Sequence, residues 1–120
     1  MNNKDAESLD LAKVAAAAAD EKLGTDVIVL DVGNVLSITG FFVVASAGNT
    51  RQVRTIADEV EKQVKEKLGR APGRTEGISE GQWVLLDYGD VVMHVFSEDT
   101  RRFYEIERLY SDVPKVDWRT

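Results

Sequence analysis

The chain has 120 residues, 43% of them hydrophobic, and carries 15 basic and 21 acidic residues for a net charge of −6. This length fits one domain and is sufficient to bury a core without disulfides or metals. The lack of cysteine in the sequence excludes a disulfide framework, a thiol nucleophile and thiolate metal ligands. No apolar run reaches the roughly 18 residues of a membrane span, and no secretory signal is visible, so we expect a cytoplasmic protein.

The acidic charge balance bears on the kind of partner. Proteins that hold RNA or DNA draw much of their affinity from Lys and Arg side chains that neutralise phosphates. The sequence therefore predicts no independent nucleic-acid binding. A net negative charge favours a basic protein partner through electrostatic steering, although it also serves solubility alone.

The first half of the chain predicts one helix and two strands. An alanine-rich helix is expected over about residues 5–23, with Gly24 as its C-terminal stop. Two continuous apolar runs, 27–32 and 41–45, predict strands covered on both faces. The loop between them is long enough for antiparallel pairing.

The second half predicts a helix, a hairpin and a last helix. Residues 50–68 show one apolar stripe at helical spacing, with Asn49 as N-cap and Gly69 as terminator. A possible edge strand lies within 70–77, and strands at about 82–87 and 91–96 form the hairpin. The last helix is expected from Ser97 to about residue 110, with an inward side that comprises Phe103, Ile106, Leu109 and Tyr110.

These elements predict the domain organisation. Strands and helices interleave, which indicates a single α/β domain with a mixed β-sheet and helices packed on it. We expect the domain to span residues 1–110 and residues 111–120 to form a loosely ordered tail.

The hairpin contains the single histidine of the sequence. By strand alternation His94 shares a face with Val92 and Phe96. No nearby serine lies in a nucleophile-elbow motif. A lone histidine on an apolar face favours a structural or interface role over catalysis.

Three carboxylates could be interpreted as a metal-binding site. Asp87 and Asp90 flank a Tyr-Gly turn, and Asp31 follows the first strand. Hard cations need several oxygen ligands that converge on one point, whereas Asp and Gly at a turn need no function at all. We predict no catalytic residue, no metal ligand and no cofactor.

Trp83 begins the first strand of the hairpin. Trp83, Leu85 and Asp87 share one face of this strand, while Val84 and Leu86 share the other. If Val84 and Leu86 face the helices, Trp83 lies on the more open side, where a tryptophan is typical of an interface anchor. A tryptophan of the core is the other interpretation, and the sequence leaves both open.

The ordered motifs resemble the ribosomal silencing factor family, also called Iojap, from about residue 9 to residue 110. The motifs that carry the resemblance are Leu30-Asp31-Val32, Ser37-Ile38-Thr39, Phe42-Val43-Val44, Arg51-Gln52-Val53, Ile56-Ala57-Asp58-Glu59-Val60, Glu76-Gly77, Trp83, Leu86-Asp87-Tyr88-Gly89-Asp90, Val92-Met93-His94-Val95-Phe96, Arg101, Tyr104, Leu109 and Tyr110. Two loops depart from the family pattern: Gly40 replaces a usual acidic residue, and Ser46-Ala47-Gly48 precedes the middle helix where many members have Thr-Gly.

The resemblance implies a nucleotidyltransferase-like fold without catalytic apparatus. It implies a protein that binds ribosomal protein L-fourteen on the large subunit, blocks joining of the small subunit and represses translation when nutrients are scarce. It also implies a possible homodimer and a partner surface that includes Trp83 and Tyr88. We predict Trp83, Tyr88, Leu85, Asp87 and His94 as the partner-binding residues. The alternative is a metal-dependent, nucleotidyltransferase-like enzyme that uses Asp31, Asp87 and Asp90.

Overall fold

A computed structural model describes residues 3–119, with side chains from residue 6 onward. Its elements in chain order are α1 (Asn3–Glu21), β1 (Thr25–Asp31), β2 (Phe41–Ala47), α2 (Thr50–Leu68), β3 (Arg74–Glu76), β4 (Trp83–Asp87), β5 (Val91–Ser97), α3 (Glu98–Tyr104), α4 (Ile106–Leu109) and β6 (Lys115–Val116). The predicted α/β class with a mixed sheet is confirmed. Among the described helices, none is long and apolar enough to cross a bilayer.

The strands form a six-stranded sheet in the order β3-β4-β5-β2-β1-β6. The two central strands, β2 and β5, run parallel, and the other neighbouring pairs are antiparallel. The predicted antiparallel pairing of the first two strands and the predicted β4–β5 hairpin are therefore confirmed. The outer strand β3 has three residues, all exposed, and its charged side chains suit an edge that must not pair with another chain.

The two long helices cover one face of the sheet. The buried alanines of α1 and the apolar stripe of α2 pack on it in one core cluster, together with β-strand residues such as Val43, Val84 and Met93. Small alanine side chains allow α1 to lie close to the strands. Helix α2 has the predicted ends, because the Asn49 side chain accepts a hydrogen bond from the Gln52 amide and Gly69 is left-handed at φ 68°.

The end of α1 differs from the prediction by one residue. Leu23, not Gly24, takes the left-handed conformation, at φ 65°. The Leu23 amide donates to the Asp20 carbonyl and the Gly24 amide to the Ala19 carbonyl, as in a Schellman motif. Gly24 is required for space, since a Cβ there would lie 2.9 Å from the Ala19 oxygen.

The predicted last helix is interrupted. Helix α3 ends at Tyr104, and Glu105 adopts a left-handed conformation at φ 48° before the short α4. The break changes which side chains face inward: Ile106 is buried, whereas Phe103 is 80% exposed and Leu109 is 76% exposed. The expected inward orientation of Phe103 and Leu109 is therefore wrong.

The segment expected to be a loose tail joins the sheet in its described part. Strand β6 pairs antiparallel with β1, with Val116 opposite Val29. The Trp118 indole N–H donates to the Val27 carbonyl at 3.1 Å, and its ring packs against the core. Two apolar side chains thus fix a strand that is too short for hydrophobic periodicity to predict.

Candidate partner-binding site

The sheet face opposite α1 and α2 is only partly covered, by α3, α4 and the β1–β2 loop, and we call it the open face. Along β4 the burial alternates: Val84 and Leu86 are fully buried on the helix side, and Trp83, Leu85 and Asp87 are partly exposed. The predicted orientation of this strand is confirmed. Trp83 and Leu85 pack against the smaller apolar cluster of the open face, which includes Phe42 and Phe96.

His94 lies on the same face, directly opposite Leu85 in the β4–β5 pair. It is 4% exposed, because Phe42, Trp83 and Phe96 surround the imidazole. Four of the five predicted partner-binding residues, namely Trp83, Leu85, Asp87 and His94, are thereby brought together.

Tyr88 is separated from these four residues. It follows Asp87 and packs with the core on the helix side, where it is 6% exposed. Its hydroxyl has no hydrogen-bond partner among the described residues, and burial raises the pKa of Tyr88 to about 12. In this structure Tyr88 is a packing residue, and its predicted contact with a partner stays a prediction.

A hydrogen bond joins the two ring systems of the open face. The Trp83 indole N–H donates to Nδ1 of His94 at 3.1 Å. Because an indole nitrogen can only donate, Nδ1 must be the accepting nitrogen and the neutral ring carries its proton on Nε2. Burial lowers the pKa of His94 to about 4, against a smaller opposing effect of the Asp87 charge. His94 is therefore neutral near pH 7.

The rings of the open face form a continuous series that we call the aromatic row. Neighbouring ring centroids lie 5.0 Å apart for Phe103 and Tyr104, 5.0 Å for Tyr104 and Trp83, 6.0 Å for Trp83 and His94, and 4.7 Å for His94 and Phe42. Tyr104 is 50% exposed, so it presents a half-open ring beside Trp83. Tyr104 is the functional candidate that sequence reasoning did not single out. The hairpin register puts Trp83 opposite Phe96 and near the start of α3, but it does not specify where Tyr104, at the end of that helix, lies.

Helix α3 is held in place by polar contacts at its start and middle. The Ser97 hydroxyl accepts a hydrogen bond from the Thr100 amide and caps the helix. Arg101 is 7% exposed and donates to the Thr25 carbonyl at 3.1 Å, to the Ser46 hydroxyl at 3.0 Å and to Glu107 at 3.1 Å. A buried arginine with several partners fixes the helix on β1 and β2, and this orients Tyr104 toward Trp83.

A groove of about 300 Å³ continues the open face beyond His94. Its lining comprises Leu36, Ile38, Thr39, Phe42, Arg74, Leu85, Asp87, Gly89, Val92 and His94. Ile38 is 84% exposed at its edge. The groove is mainly apolar, with few polar groups, as is typical of sites that bind another molecule.

The three carboxylates considered for metal binding have separate partners. Asp90 accepts from Arg70 at 2.8 Å and from the Ser8 hydroxyl at 2.6 Å. Asp87 accepts from the Gly89 amide at 2.8 Å, and Asp31 from the Gly33 amide at 3.2 Å. Within the described part of the chain, no three acidic, histidine or cysteine side chains gather as metal ligands. Asp87 and Asp31 thus stabilise turns, and Asp90 binds the Arg70 and Ser8 side chains.

The fold and site define a single-domain α/β protein whose mixed sheet is covered by two long helices on one face and carries a half-open aromatic row on the other. Residues 5–120 match the family described as "Ribosomal silencing factor during starvation". The chain belongs to the ribosomal silencing factor family.

Similar proteins agree with this assignment. The chain is 39% identical over 105 residues to ribosomal silencing factor RsfS of Bacillus subtilis, covering 88% of each chain. A crystal structure of a Chromobacterium violaceum protein superposes with a TM-score of 0.81 at 33% identity, covering 92% of this chain and 88% of that one. A more distant mouse relative, 28% identical over 88 residues (72% of this chain and 39% of that protein), is named mitochondrial assembly of ribosomal large subunit protein 1.

Proposed function

We propose that this protein binds the large ribosomal subunit through ribosomal protein L-fourteen, blocks joining of the small subunit and so represses translation when nutrients are limiting. Family membership over residues 5–120 is the observation that carries the proposal. The name of the mouse relative supports the choice of the large subunit. In this proposal, repression of translation takes place in the cytoplasm and requires no catalytic step.

The open face supplies the contact surface in this proposal. Trp83 and Tyr104 form its centre, with Leu85, Asp87 and His94 beside them. Tryptophan and tyrosine are the residue types that most often dominate binding energy at interfaces, because they bury a large rigid area. An interface of standard size buries roughly 800 Å² per partner. The chain exposes 6798 Å² in total, so such a contact takes a modest share of its surface.

Charge supports a protein partner of the ribosome. The net charge of −6 opposes direct binding to RNA phosphates and favours approach to a basic protein. Once bound, a compact domain prevents subunit joining by occupying a surface that the small subunit needs.

A second copy of the chain would give a homodimer, which solution mass measurement can test.

Binding of purified L-fourteen and of large subunits tests the proposal. Trp83→Ala should weaken binding by about thirtyfold, corresponding to the loss of about 2 kcal/mol from one interface anchor. Trp118→Ala is the matched control, since this second tryptophan packs on the helix-side core at the β6 edge. It should reduce stability without changing affinity. Cosedimentation with joined ribosomes as strong as with free large subunits would contradict the proposal.

A further inference from the structure

We propose that the groove beside the aromatic row binds an uncharged hydrogen-bond acceptor, a backbone carbonyl or amide oxygen, from an extended segment of the protein partner. This inference rests on the proposed function and adds the chemistry that the partner must present. The donors that it assigns within this groove are Nε2 of His94 and the hydroxyl of Thr39.

Both donors are buried and unsatisfied. Among the described residues, neither His94 Nε2 nor Thr39 Oγ1 has a hydrogen-bond partner, although the side chains are only 4% and 9% exposed. Buried polar groups in native proteins nearly always have a partner. Two such groups that line one groove indicate that their acceptor comes from another molecule.

The protonation state of His94 fixes the direction of the hydrogen bond. The Trp83 indole N–H donates to Nδ1 of His94. Nε2 therefore carries the proton of the neutral ring and can only donate. The Thr39 hydroxyl can rotate to donate as well. The bound group must therefore contribute lone pairs, which a carbonyl oxygen does and an ammonium or guanidinium group does not.

The walls and the rim define the rest of the occupant. Leu36, Phe42 and Val92 give the groove apolar walls, and the exposed Ile38 would be covered by a chain lying across it. At the rim Arg74 is paired with Asp87 at 3.4 Å and with Glu76 at 3.0 Å. Since Arg74 is opposed by two carboxylates, these three side chains leave a net charge of −1, and an uncharged peptide segment fits the groove better than a phosphate.

Two substitutions remove the donors, and that of Thr39 changes little else. Thr39→Val keeps the side-chain shape and removes the hydroxyl. His94→Asn removes the Nε2 donor, and its amide oxygen can take the place of Nδ1 as acceptor for Trp83. Each variant should bind purified large ribosomal subunits about five- to tenfold more weakly, the effect of one hydrogen bond. Thr39→Ser retains the hydroxyl and should bind like the wild type.

Stability measurements separate this role from a structural one. Thr39→Val should leave the free protein equally stable or more stable, because it removes an unsatisfied hydroxyl. The indole N–H resonance of Trp83 in His94→Asn should keep its hydrogen-bonded shift. Unchanged affinity in both variants, with the wild type still bound, would overturn the inference alone. A wild type that does not bind large subunits would overturn the proposed function and this inference together.

Salt dependence distinguishes a carbonyl from an RNA phosphate. The loss of affinity should be the same at about 50 and about 200 mM monovalent salt, since an uncharged acceptor releases no counterions. A loss that becomes smaller at the higher salt concentration would indicate a phosphate in the groove and would overturn the inference.

Discussion

Trp83 and His94 are joined by an N–H···N hydrogen bond of 3.1 Å that crosses the β4–β5 pair. The bond needs an unprotonated Nδ1, so protonation of the imidazole would replace an acceptor with a second donor facing the indole N–H. The orientation of the half-open Trp83 ring therefore depends on the protonation of a residue that is itself almost inaccessible to solvent.

The first prediction concerns pH. The folded-state pKa of His94 is about 4, against 6.5 for the unfolded chain, so the unfolded state binds more protons between these values. Stability is fully present above pH 6.5 and falls as the pH drops toward 4, by up to about 3 kcal/mol. Chemical denaturation over this range measures it. His94→Asn should lose most of the slope, and an equal slope in both proteins would contradict this account.

The second prediction separates two tyrosines. Tyr104→Ala should weaken binding to large subunits by about tenfold, because a half-exposed ring beside Trp83 is lost. Tyr88→Phe removes only a buried, unpartnered hydroxyl and should bind normally, with stability within about 1 kcal/mol of the wild type. Loss of affinity in Tyr88→Phe but not in Tyr104→Ala would return Tyr88 to the contact surface and remove Tyr104.

The third prediction concerns the end of α1. Leu23 is left-handed and 77% exposed, so its side chain gains little from packing while its backbone is strained. Leu23→Gly should stabilise the protein by about 0.5–1 kcal/mol, a part of the roughly 1–2 kcal/mol that this conformation costs an L-residue. Leu23→Ala keeps the strain and should change little. Destabilisation by Leu23→Gly in thermal unfolding would show that the Leu23 side chain contributes contacts of its own.

The fourth prediction compares two glycines with similar positive φ angles. Gly77 has φ 81°, and an added Cβ would lie 2.0 Å from the Trp83 carbonyl oxygen. Gly77→Ala should cost about 3 kcal/mol from strain and overpacking, and should displace the start of β4. Gly69 has φ 68° with open space around it, so Gly69→Ala should cost about 1 kcal/mol. Equal losses in denaturant unfolding would contradict the proposed steric contact.

Local sequence signals predicted much of the fold. Helix α2 has the predicted bounds, because Asn49, the apolar stripe and Gly69 act within the helix itself. Strand β4 has the predicted faces, because alternation is also local. Helix α3 breaks at Glu105, a residue with no turn signature, where the contacts of Arg101 and Ile106 with the rest of the domain set the backbone.

The candidate site could be predicted only in part for the same reason. Strand alternation placed Trp83, Leu85 and Asp87 on one face of β4, whereas their role in partner binding was predicted, with that of His94, from the family resemblance. Tyr104 depends on how α3 returns to the end of the hairpin, which no local pattern specifies. The unsatisfied hydroxyl of Thr39 becomes a signal only when the β1–β2 loop is folded and Thr39 lines the same groove as His94, since hydrogen-bond satisfaction is a property of three-dimensional surroundings.

Strand β6 has a consequence for how the domain is made. Trp118 and Val27 meet across 91 residues of sequence, so β1 lacks its outer neighbour until residues 115–118 have left the ribosome. During synthesis the β1 edge is an open template for pairing with another chain. We expect hydrogen exchange on stalled nascent chains to show that the β1 amides that point toward β6, such as that of Asp31, become protected only after β6 has emerged. Early protection of these amides would mean that another segment shields the edge during translation.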